Sequence, residues 1–114
     1  MTDCLFCKIE KGDIPAEKVY DDDKVFAIKD VNPQAPVHLL IMPKKHFSTI
    51  LELEEKDHEL IGTIFTVANR LAKDNGLDKS GFRVVVNCGA EAGQSVFHIH
   101  YHLLGGRAML WPPG

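Results

Sequence analysis

The sequence lacks both a long hydrophobic run and an excess of positive charge. No apolar stretch approaches the ~18 residues of a membrane-spanning helix. Charged residues interrupt the N-terminal segment MTDCLFCKIEKGD, where a signal peptide would carry its apolar core. The 16 acidic residues outnumber the 13 basic ones, giving a formal net charge of −3, whereas nucleic-acid-binding proteins usually have a basic excess. We therefore expect a cytoplasmic protein that binds neither a membrane nor a nucleic acid.

The sequence also has few cysteines. Three are an odd number for a disulfide framework, so a reduced pair and a spare thiol are expected. Cys4 and Cys7 have the CxxC spacing of half a metal site, although they could equally be a pair of buried thiols. Cys88 has no other cysteine nearby in the sequence and is predicted to be a small core residue.

The remaining composition is typical of a globular protein. The 114 residues, 45% hydrophobic and 25% charged, suffice for one hydrophobic core, and we predict a single domain over residues 1–114. Segments rich in β-branched residues predict strands over 18–20, 25–29, 37–43, 82–87 and 97–105, and an amphipathic pattern predicts a helix over 54–75. The short links leave no room for repeated crossovers, which favours an α+β fold with an antiparallel sheet.

Three histidines, His98, His100 and His102, alternate along the chain near its end. On a strand they would share one face, and the intervening apolar residues would face the core. The outer two would stand about 13 Å apart, too far for one ion with bonds of ~2 Å. Three buried imidazoles would each need polar partners, so we favour a functional role. Neutral imidazole is a nucleophile near neutral pH.

The loop before these histidines, NCGAEAGQS, contains two glycines. Gly89 and Gly93 permit backbone conformations that turn several N–H groups toward one anion, and Asn87 and Ser95 could add side-chain hydrogen bonds. An ordinary chain reversal is the alternative. The sequence contains no GxxxxGK[ST] element, so a P-loop ATPase is not supported.

The segment HIHYHLL resembles the HxHxHxx motif of the histidine triad family of nucleotide hydrolases and transferases. Similarity to the Hint branch, the adenosine phosphoramidases, extends over IPAEKVYDDDKVFAIKDVNPQAPVHLLIMPKKH, RVVVNCG, GQSVFHIHYHLLGGR and the terminal WPPG. The resemblance implies an α+β fold with a five-stranded antiparallel sheet, one long helix and a short N-terminal helix. It also implies a homodimer whose sheets join into ten strands, with Trp111 near the partner's active site.

The resemblance assigns roles to individual residues. His100 would attack the α-phosphorus of the nucleotide. The other catalytic residues that it implies are His38, His98, His102 and Ser95. The residues that would bind the purine nucleotide are Leu5, Phe6, Ile28, Asp30, Val31, Asn87, Gly93, Gln94, Ser95, His100 and His102. Asp30 would hold the ribose hydroxyls, and the amides from Gly93 to Ser95 would face the phosphate. Ile28 replaces an aromatic residue common in eukaryotic relatives, which leaves the base preference open.

The resemblance also bears on the cysteine pair. Many prokaryotic members of the family, and the related galactose-1-phosphate uridylyltransferases, combine such a CxxC with a histidine after the Pro-Lys turn and with the first triad histidine. The corresponding residues here are Cys4, Cys7, His46 and His98. They imply a structural zinc site that ties the N-terminus to the sheet and braces the catalytic segment. No catalytic metal is expected.

Three functions follow from these patterns. The leading one is a purine nucleoside phosphoramidase that hydrolyses adenosine 5'-phosphoramidates and aminoacyl adenylates to AMP through a covalent histidine–AMP intermediate. The first alternative is a dinucleoside polyphosphate hydrolase, in which the same histidine attacks a phosphorus whose P–O bond breaks. The second is a zinc-stabilised adaptor that binds nucleotides and acts through other proteins.

Overall fold

The structure, a computed structural model, describes residues 4–114. These residues contain five strands and two helices. Their bounds are α1 Leu5–Lys11, β1 Lys18–Asp21, β2 Val25–Lys29, β3 Val37–Pro43, α2 His58–Asp74, β4 Phe82–Val86 and β5 Tyr101–Gly105. Two 3-10 turns, Ile50–Glu52 and Glu55–Asp57, precede α2. Neither of the helices described is long and apolar enough to cross a membrane.

The strands form one antiparallel sheet in the order β1-β2-β3-β5-β4. β1 and β2 form a hairpin around Asp22, whose carboxylate accepts 2.8 Å hydrogen bonds from the amides of Lys24 and Val25. The long connection from β3 to β4 contains α2, and β5 then pairs between those two strands. This sheet, the long helix and the short N-terminal helix confirm the predicted α+β fold.

Each face of the sheet is covered by one helix. The larger core, on the α2 side, includes Val25, Ala27, Leu39, Ile41, Ile64, Val67, Ala68, Leu71, Tyr101 and Leu103. The smaller core, on the α1 side, contains Phe6, Ile9, Phe26, Ile28, Leu40 and Met42. Because side chains alternate along a strand, His38 lies on the same face of β3 as Leu40 and Met42. The imidazole of His38 therefore lies on the α1 side of the sheet.

The last strand is shorter than its sequence predicts. The expected strand was 97–105, whereas β5 begins at Tyr101. The preceding residues leave the ladder because their polar groups bond elsewhere. The amide of Ile99 donates a 2.8 Å hydrogen bond to the carbonyl oxygen of Phe47, beyond the end of β3, and the carbonyl oxygen of His98 accepts one from the His100 ring. His98 and His100 therefore lie outside the strand, and the directions of their side chains do not follow from strand alternation.

The start of the long helix also differs from the prediction of 54–75. The regular α-helix begins at His58, after the 3-10 turn Glu55–Asp57. The side chain of Asp57, only 6% exposed, accepts a 2.9 Å hydrogen bond from the amide of Glu54. This bond satisfies one of the amides that a helix start leaves without a partner.

Replacement of Asp57 tests how much this bond contributes to stability. Asp57→Ala leaves the Glu54 amide without its acceptor, so we expect the free energy of unfolding to fall by about 1 kcal/mol and the melting temperature by about 4 °C. Thermal unfolding followed by circular dichroism measures both. Glu59→Ala, at an exposed position two residues further on, is the control and should change stability by only a few tenths of a kcal/mol. Equal melting temperatures for the two variants would contradict the assignment.

Candidate active site and metal cluster

The main cavity, about 370 Å³ in volume, lies on the α1 side of the sheet. The predicted purine-binding residues Leu5, Phe6, Ile28, Asp30 and Val31 line it together with Ser95, His100 and His102. Val31 is 98% exposed and borders the mouth of the cavity, whereas Phe6 and Ile28 are buried in its wall. The structure thus brings apolar residues from the first third of the sequence to the same cavity as two of the three alternating histidines.

His100 presents a ring nitrogen to this cavity in a defined protonation state. Its Nδ1 lies 2.8 Å from the carbonyl oxygen of His98. A carbonyl oxygen only accepts, so Nδ1 carries the proton and Nε2 keeps its lone pair. The Phe6 ring packs edge-on against the imidazole, with centroids 5.0 Å apart. Burial lowers the pKa of His100, which favours the neutral, nucleophilic ring near neutral pH.

His38 and His102 form a second hydrogen-bonded unit. The Gln34 amide donates a 3.0 Å hydrogen bond to His38 Nδ1, so the proton of this ring is on Nε2. His38 Nε2 lies 2.9 Å from His102 Nδ1 and 3.3 Å from Asp30 Oδ2. His102 Nδ1 is therefore an acceptor, and its Nε2 carries the proton. Burial lowers the pKa of His38. Burial and the neighbouring His100 and His38 lower the pKa of His102 to about 4.

The same tautomers bear on metal binding by this unit. The ligand atoms of Asp30, His38 and His102 lie within 4.8 Å of one another, close enough for one ion. However, His38 Nε2 carries the proton because the Gln34 amide occupies Nδ1, and a protonated nitrogen is not a metal ligand. We therefore interpret the unit as a hydrogen-bond chain rather than a metal site.

The glycine-containing loop closes on itself. The amide of Gly93, where φ is +88°, donates a 3.0 Å hydrogen bond to the Ala90 carbonyl, and the amide of Gln94 donates a 3.1 Å bond to the Gly89 carbonyl. These two amides therefore bond within the loop, contrary to the expectation that they face a phosphate. Ser95 is exposed and lines the main cavity.

Asn87 lies apart from Ser95. It lines a neighbouring cavity of about 270 Å³ that also contains His38, Arg83 and Arg107. His102 lines both this cavity and the main one. The predicted phosphate-side residues are thus divided between two adjoining cavities, with His102 at their boundary.

The structure brings the predicted metal ligands together behind the main cavity. All four ligand atoms of Cys4, Cys7, His46 and His98 lie within 4.8 Å of one another. The distance is 3.3 Å from Cys4 Sγ to His98 Nδ1, and 3.6 and 3.5 Å from Cys7 Sγ to the Nδ1 atoms of His98 and His46. Sulfur and nitrogen ligands of a tetrahedral zinc ion stand about 3.5 Å apart, given bonds of about 2.3 and 2.0 Å. The four residues therefore form a possible zinc site.

Neighbouring groups determine the protonation of the donor atoms in this cluster. His98, fully buried, donates from Nε2 to the Pro43 carbonyl oxygen at 2.7 Å, which leaves Nδ1 unprotonated and directed at the sulfurs. His46 Nε2 lies 3.4 Å from Ser48 Oγ. Burial and the adjacent Cys4 sulfur raise the pKa of Cys7 to about 11, so two neighbouring thiolates here require a cation.

Some of these contacts carry no sequence signal. The acceptors that select the tautomers of His98 and His100 are backbone carbonyls, and the donor to His38 is the Gln34 backbone amide. Gln94 has a polar side chain and was expected at the phosphate, but its carboxamide is buried and bonds to backbone groups. The GQS pattern marks this position without revealing the direction of the side chain.

Trp111 was predicted to act near a partner's site. Within the chain it is 81% exposed, and the guanidinium of Arg83 lies 5.8 Å from the centroid of its ring. Arg83 also donates a 3.1 Å hydrogen bond to the Leu110 carbonyl oxygen. The C-terminal segment is thus attached to β4, an edge strand, with its indole open to solvent.

The chain is similar to proteins from bacteria and plants. The family model described as the HIT domain matches residues 11–109. An uncharacterized HIT-like protein of Synechocystis sp. is 50% identical over 112 residues, covering 98% of this chain and 97% of that protein. A 14 kDa zinc-binding protein of Zea mays is 50% identical over 112 residues, covering 96% and 87%. Among solved structures, a HIT family hydrolase from Legionella pneumophila Philadelphia 1 has a TM-score of 0.97 and 52% identity, covering 98% and 100%.

The lowered pKa of His102 predicts that acid destabilises the fold. In the unfolded chain a histidine binds a proton near pH 6.5, whereas folded His102 does so only near pH 4. The contribution of His102 to the free energy of unfolding is therefore fully present above pH 6.5 and is lost as the pH falls toward 4. The loss is at most about 1.4 kcal/mol per pH unit, reduced because solvent screens this half-buried ring.

Urea unfolding between pH 7 and pH 5 measures this effect. We expect His102→Gln to have a shallower pH dependence of the free energy of unfolding than the unchanged protein. His58→Gln, which removes an exposed imidazole at the start of α2, is the matched control and should keep the original slope. A His102→Gln slope indistinguishable from that control would refute the assignment.

Proposed function

The chain belongs to the HIT domain family, and from this membership we propose that it hydrolyses adenosine 5'-phosphoramidates and aminoacyl adenylates to AMP. The match confirms the resemblance to the histidine triad proteins, and the likeness to a HIT family hydrolase supports a nucleotide hydrolase. The observation that carries the proposal is the unprotonated Nε2 of His100 in a cavity that also contains Ser95 and His102.

The first chemical step makes use of the neutral His100. Its Nε2 attacks the α-phosphorus, so that one P–N bond forms while the P–N bond of a phosphoramidate, or the P–O bond to the carboxylate of an aminoacyl adenylate, breaks. For a phosphoramidate the new bond is of the same type as the old one, so the exchange is nearly balanced in energy, and two moderate barriers replace one large barrier. The ring becomes positively charged, and its Nδ1–H bond to the His98 carbonyl stabilises that charge.

Neighbouring residues supply protons and hydrogen bonds. The departing amine takes a proton, which we assign to the Ser95 hydroxyl. The Nε2–H of His102 donates to a phosphoryl oxygen, since His102 Nδ1 already accepts from His38. In the second step water attacks the phosphorus, the bond to His100 Nε2 breaks and AMP leaves. The proton that the water loses restores the Ser95 hydroxyl, and His100 returns to its neutral state.

The remaining residues of the cavity are suited to bind a purine nucleoside. Leu5, Phe6, Ile28 and Val31 provide apolar contacts for the base, and we assign the Asp30 carboxylate to the ribose hydroxyls. One Asp30 oxygen accepts a 2.8 Å bond from the Asn32 amide and the other lies 3.3 Å from His38. Asp30 would thereby connect the ribose to the histidine chain.

We also propose a homodimer that joins two sheets through β4. This strand lies at the edge of the sheet, so one side of its backbone has no strand partner among residues 4–114. The exposed Trp111 is attached to the same strand through Arg83. Pairing of two β4 strands would bring the two C-terminal segments toward the opposite subunits.

The proposed hydrolysis has a direct test. We expect purified protein to release AMP from adenosine 5'-phosphoramidate, and His100→Ala to lower kcat by at least about 1000-fold, because no other group can replace the nucleophile. Chromatographic detection of AMP measures the rate, and quenched intact-protein mass spectrometry detects the AMP adduct. His58→Ala is the control.

The outcomes separate the three functions. Equal AMP release by His100→Ala would exclude the proposed mechanism. A higher kcat/KM for diadenosine triphosphate than for the phosphoramidate would instead identify a dinucleoside polyphosphate hydrolase. Tight AMP binding without turnover of any adenylate would favour the adaptor function.

We further propose that Cys4, Cys7, His46 and His98 bind one structural zinc ion. Support comes from the soft donor set, the sulfur–nitrogen distances and the unprotonated His98 Nδ1. A relative of 50% identity is named a zinc-binding protein. Zinc would supply a crosslink, while the cysteines hold α1 and the histidines hold the segments that follow β3 and precede β5.

Zinc content and stability test this site. Elemental analysis of protein purified without added metal should give about one zinc per chain. Cys7→Ser should reduce that content well below one and lower the melting temperature, since the remaining ligands no longer close the coordination shell. Cys88→Ser, which alters the cysteine outside the cluster, should retain the metal. Zinc absent from the unchanged protein, or equally retained by Cys7→Ser, would overturn the assignment.

A further inference from the structure

The side chain of Gln94 is the most fully bonded polar group of the loop that precedes the histidines. It is 6% exposed. Its oxygen accepts a 2.9 Å hydrogen bond from the Gly89 amide, and its nitrogen donates to the carbonyl oxygens of Ser48 at 2.7 Å and Val96 at 3.1 Å. The carboxamide thus uses its oxygen and both N–H groups inside the protein, so it is not available to a nucleotide.

These bonds fix the loop at both ends. Gly89 lies at the start of the turn and Val96 just after it, so one side chain holds the two ends together. The bond to Ser48 then attaches the closed loop to the segment that follows β3. A backbone bond from Ile99 to Phe47 runs to the same segment, so the chain on either side of Ser95 is anchored there.

The anchoring has a consequence for Ser95. This residue directly follows Gln94, is exposed, and lines the main cavity with His100 and His102. With Gln94 directed inward and held by three bonds, the backbone of Ser95 is held in place, and its side chain therefore stays at the cavity. Hydrogen-bond donors that are held in place before a charge arrives lose no free energy in reorganising around it.

We propose that Gln94 is a positioning residue that sets Ser95 against the α-phosphate without touching the nucleotide. The proposal rests on the proposed function, because it takes the cavity to be a nucleotide site. It replaces the expectation that Gln94 itself binds the phosphate. It also separates Gln94 from residues that only stabilise the fold, since its effect should fall on the phosphate and not on the nucleoside.

The experiment compares the affinities of the full-length, metal-loaded protein for AMP and for adenosine by calorimetry. Gln94→Met keeps the length of the side chain but removes all three hydrogen bonds. We expect the affinity for AMP to fall about 10- to 100-fold, the range expected for loss of a hydrogen bond to a charged group. The affinity for adenosine, which has no phosphate, should change by no more than about twofold, within the spread of ordinary surface changes.

Gln94→Glu is the second variant, in case the methionine variant does not fold. It keeps an acceptor for the Gly89 amide but turns a carboxylate oxygen toward the carbonyls of Ser48 and Val96. We expect the same selective loss of AMP affinity. The control is Asp57→Ala, which also removes a hydrogen bond from a buried polar side chain, but far along the chain at the start of α2. It should leave the ratio of the two affinities unchanged.

A double-variant cycle tests whether Gln94 acts through Ser95. If it does, adding Gln94→Met to Ser95→Ala should weaken AMP binding by much less than Gln94→Met does alone, because the donor to be positioned is already gone. Fully additive losses would show that Gln94 acts by another route and would overturn the proposal.

The remaining outcomes distinguish failure of the positioning role from failure of the proposed hydrolase. Equal losses of AMP and adenosine affinity, or unchanged AMP affinity in both Gln94 variants, would overturn the positioning role. If the unchanged protein bound AMP selectively over adenosine but released no AMP from phosphoramidates, the proposed hydrolysis would be contradicted, whereas the proposed role of Gln94 would not. If it bound AMP no better than adenosine, both proposals would fall.

Discussion

The hydrogen bond from His100 Nδ1 to the carbonyl oxygen of His98, 2.8 Å long, is the interaction on which the proposed chemistry depends. It selects the tautomer that leaves His100 Nε2 free to attack. The ring of the same residue, His98, is held by other contacts, with Nε2 bonded to the Pro43 carbonyl and Nδ1 directed at the two sulfurs. His98 therefore contributes its ring to the possible zinc site and its backbone carbonyl to the proposed nucleophile, His100.

Backbone groups select the tautomers of His98, His100 and His38, and the His38 ring in turn selects that of His102. Carbonyl oxygens hold the protons on His98 Nε2 and His100 Nδ1, and a backbone amide keeps His38 Nδ1 unprotonated. Burial lowers the pKa of all three rings, so the neutral forms to which these tautomers belong persist at neutral pH. The nucleophile needs a lone pair, and the fold provides it through main-chain contacts.

The sequence predicted the elements whose cause is local. Segments rich in apolar and β-branched residues located β2 and β3, and the amphipathic pattern located α2, because both signals are properties of neighbouring residues. It did not predict that the chain leaves the sheet before Tyr101, since this depends on the distant Phe47 carbonyl. The inward direction of Gln94 was missed for the same reason, as its partner Ser48 is remote in sequence. The residue types of the site were accessible, whereas the directions of several side chains were not.

The small size of α1 gives a structural reason for a metal site beside this cavity. The helix has seven residues, well short of the ~12–15 at which an isolated helix becomes even marginally stable. It nevertheless supplies Leu5 and Phe6 to the cavity wall and places Phe6 against His100. Cys4 caps its first turn by accepting from the Cys7 amide, and both sulfurs point into the cluster. A crosslink from these cysteines to His46 and His98 would hold the wall and the nucleophile in one unit, which a helix this short could not do by packing alone.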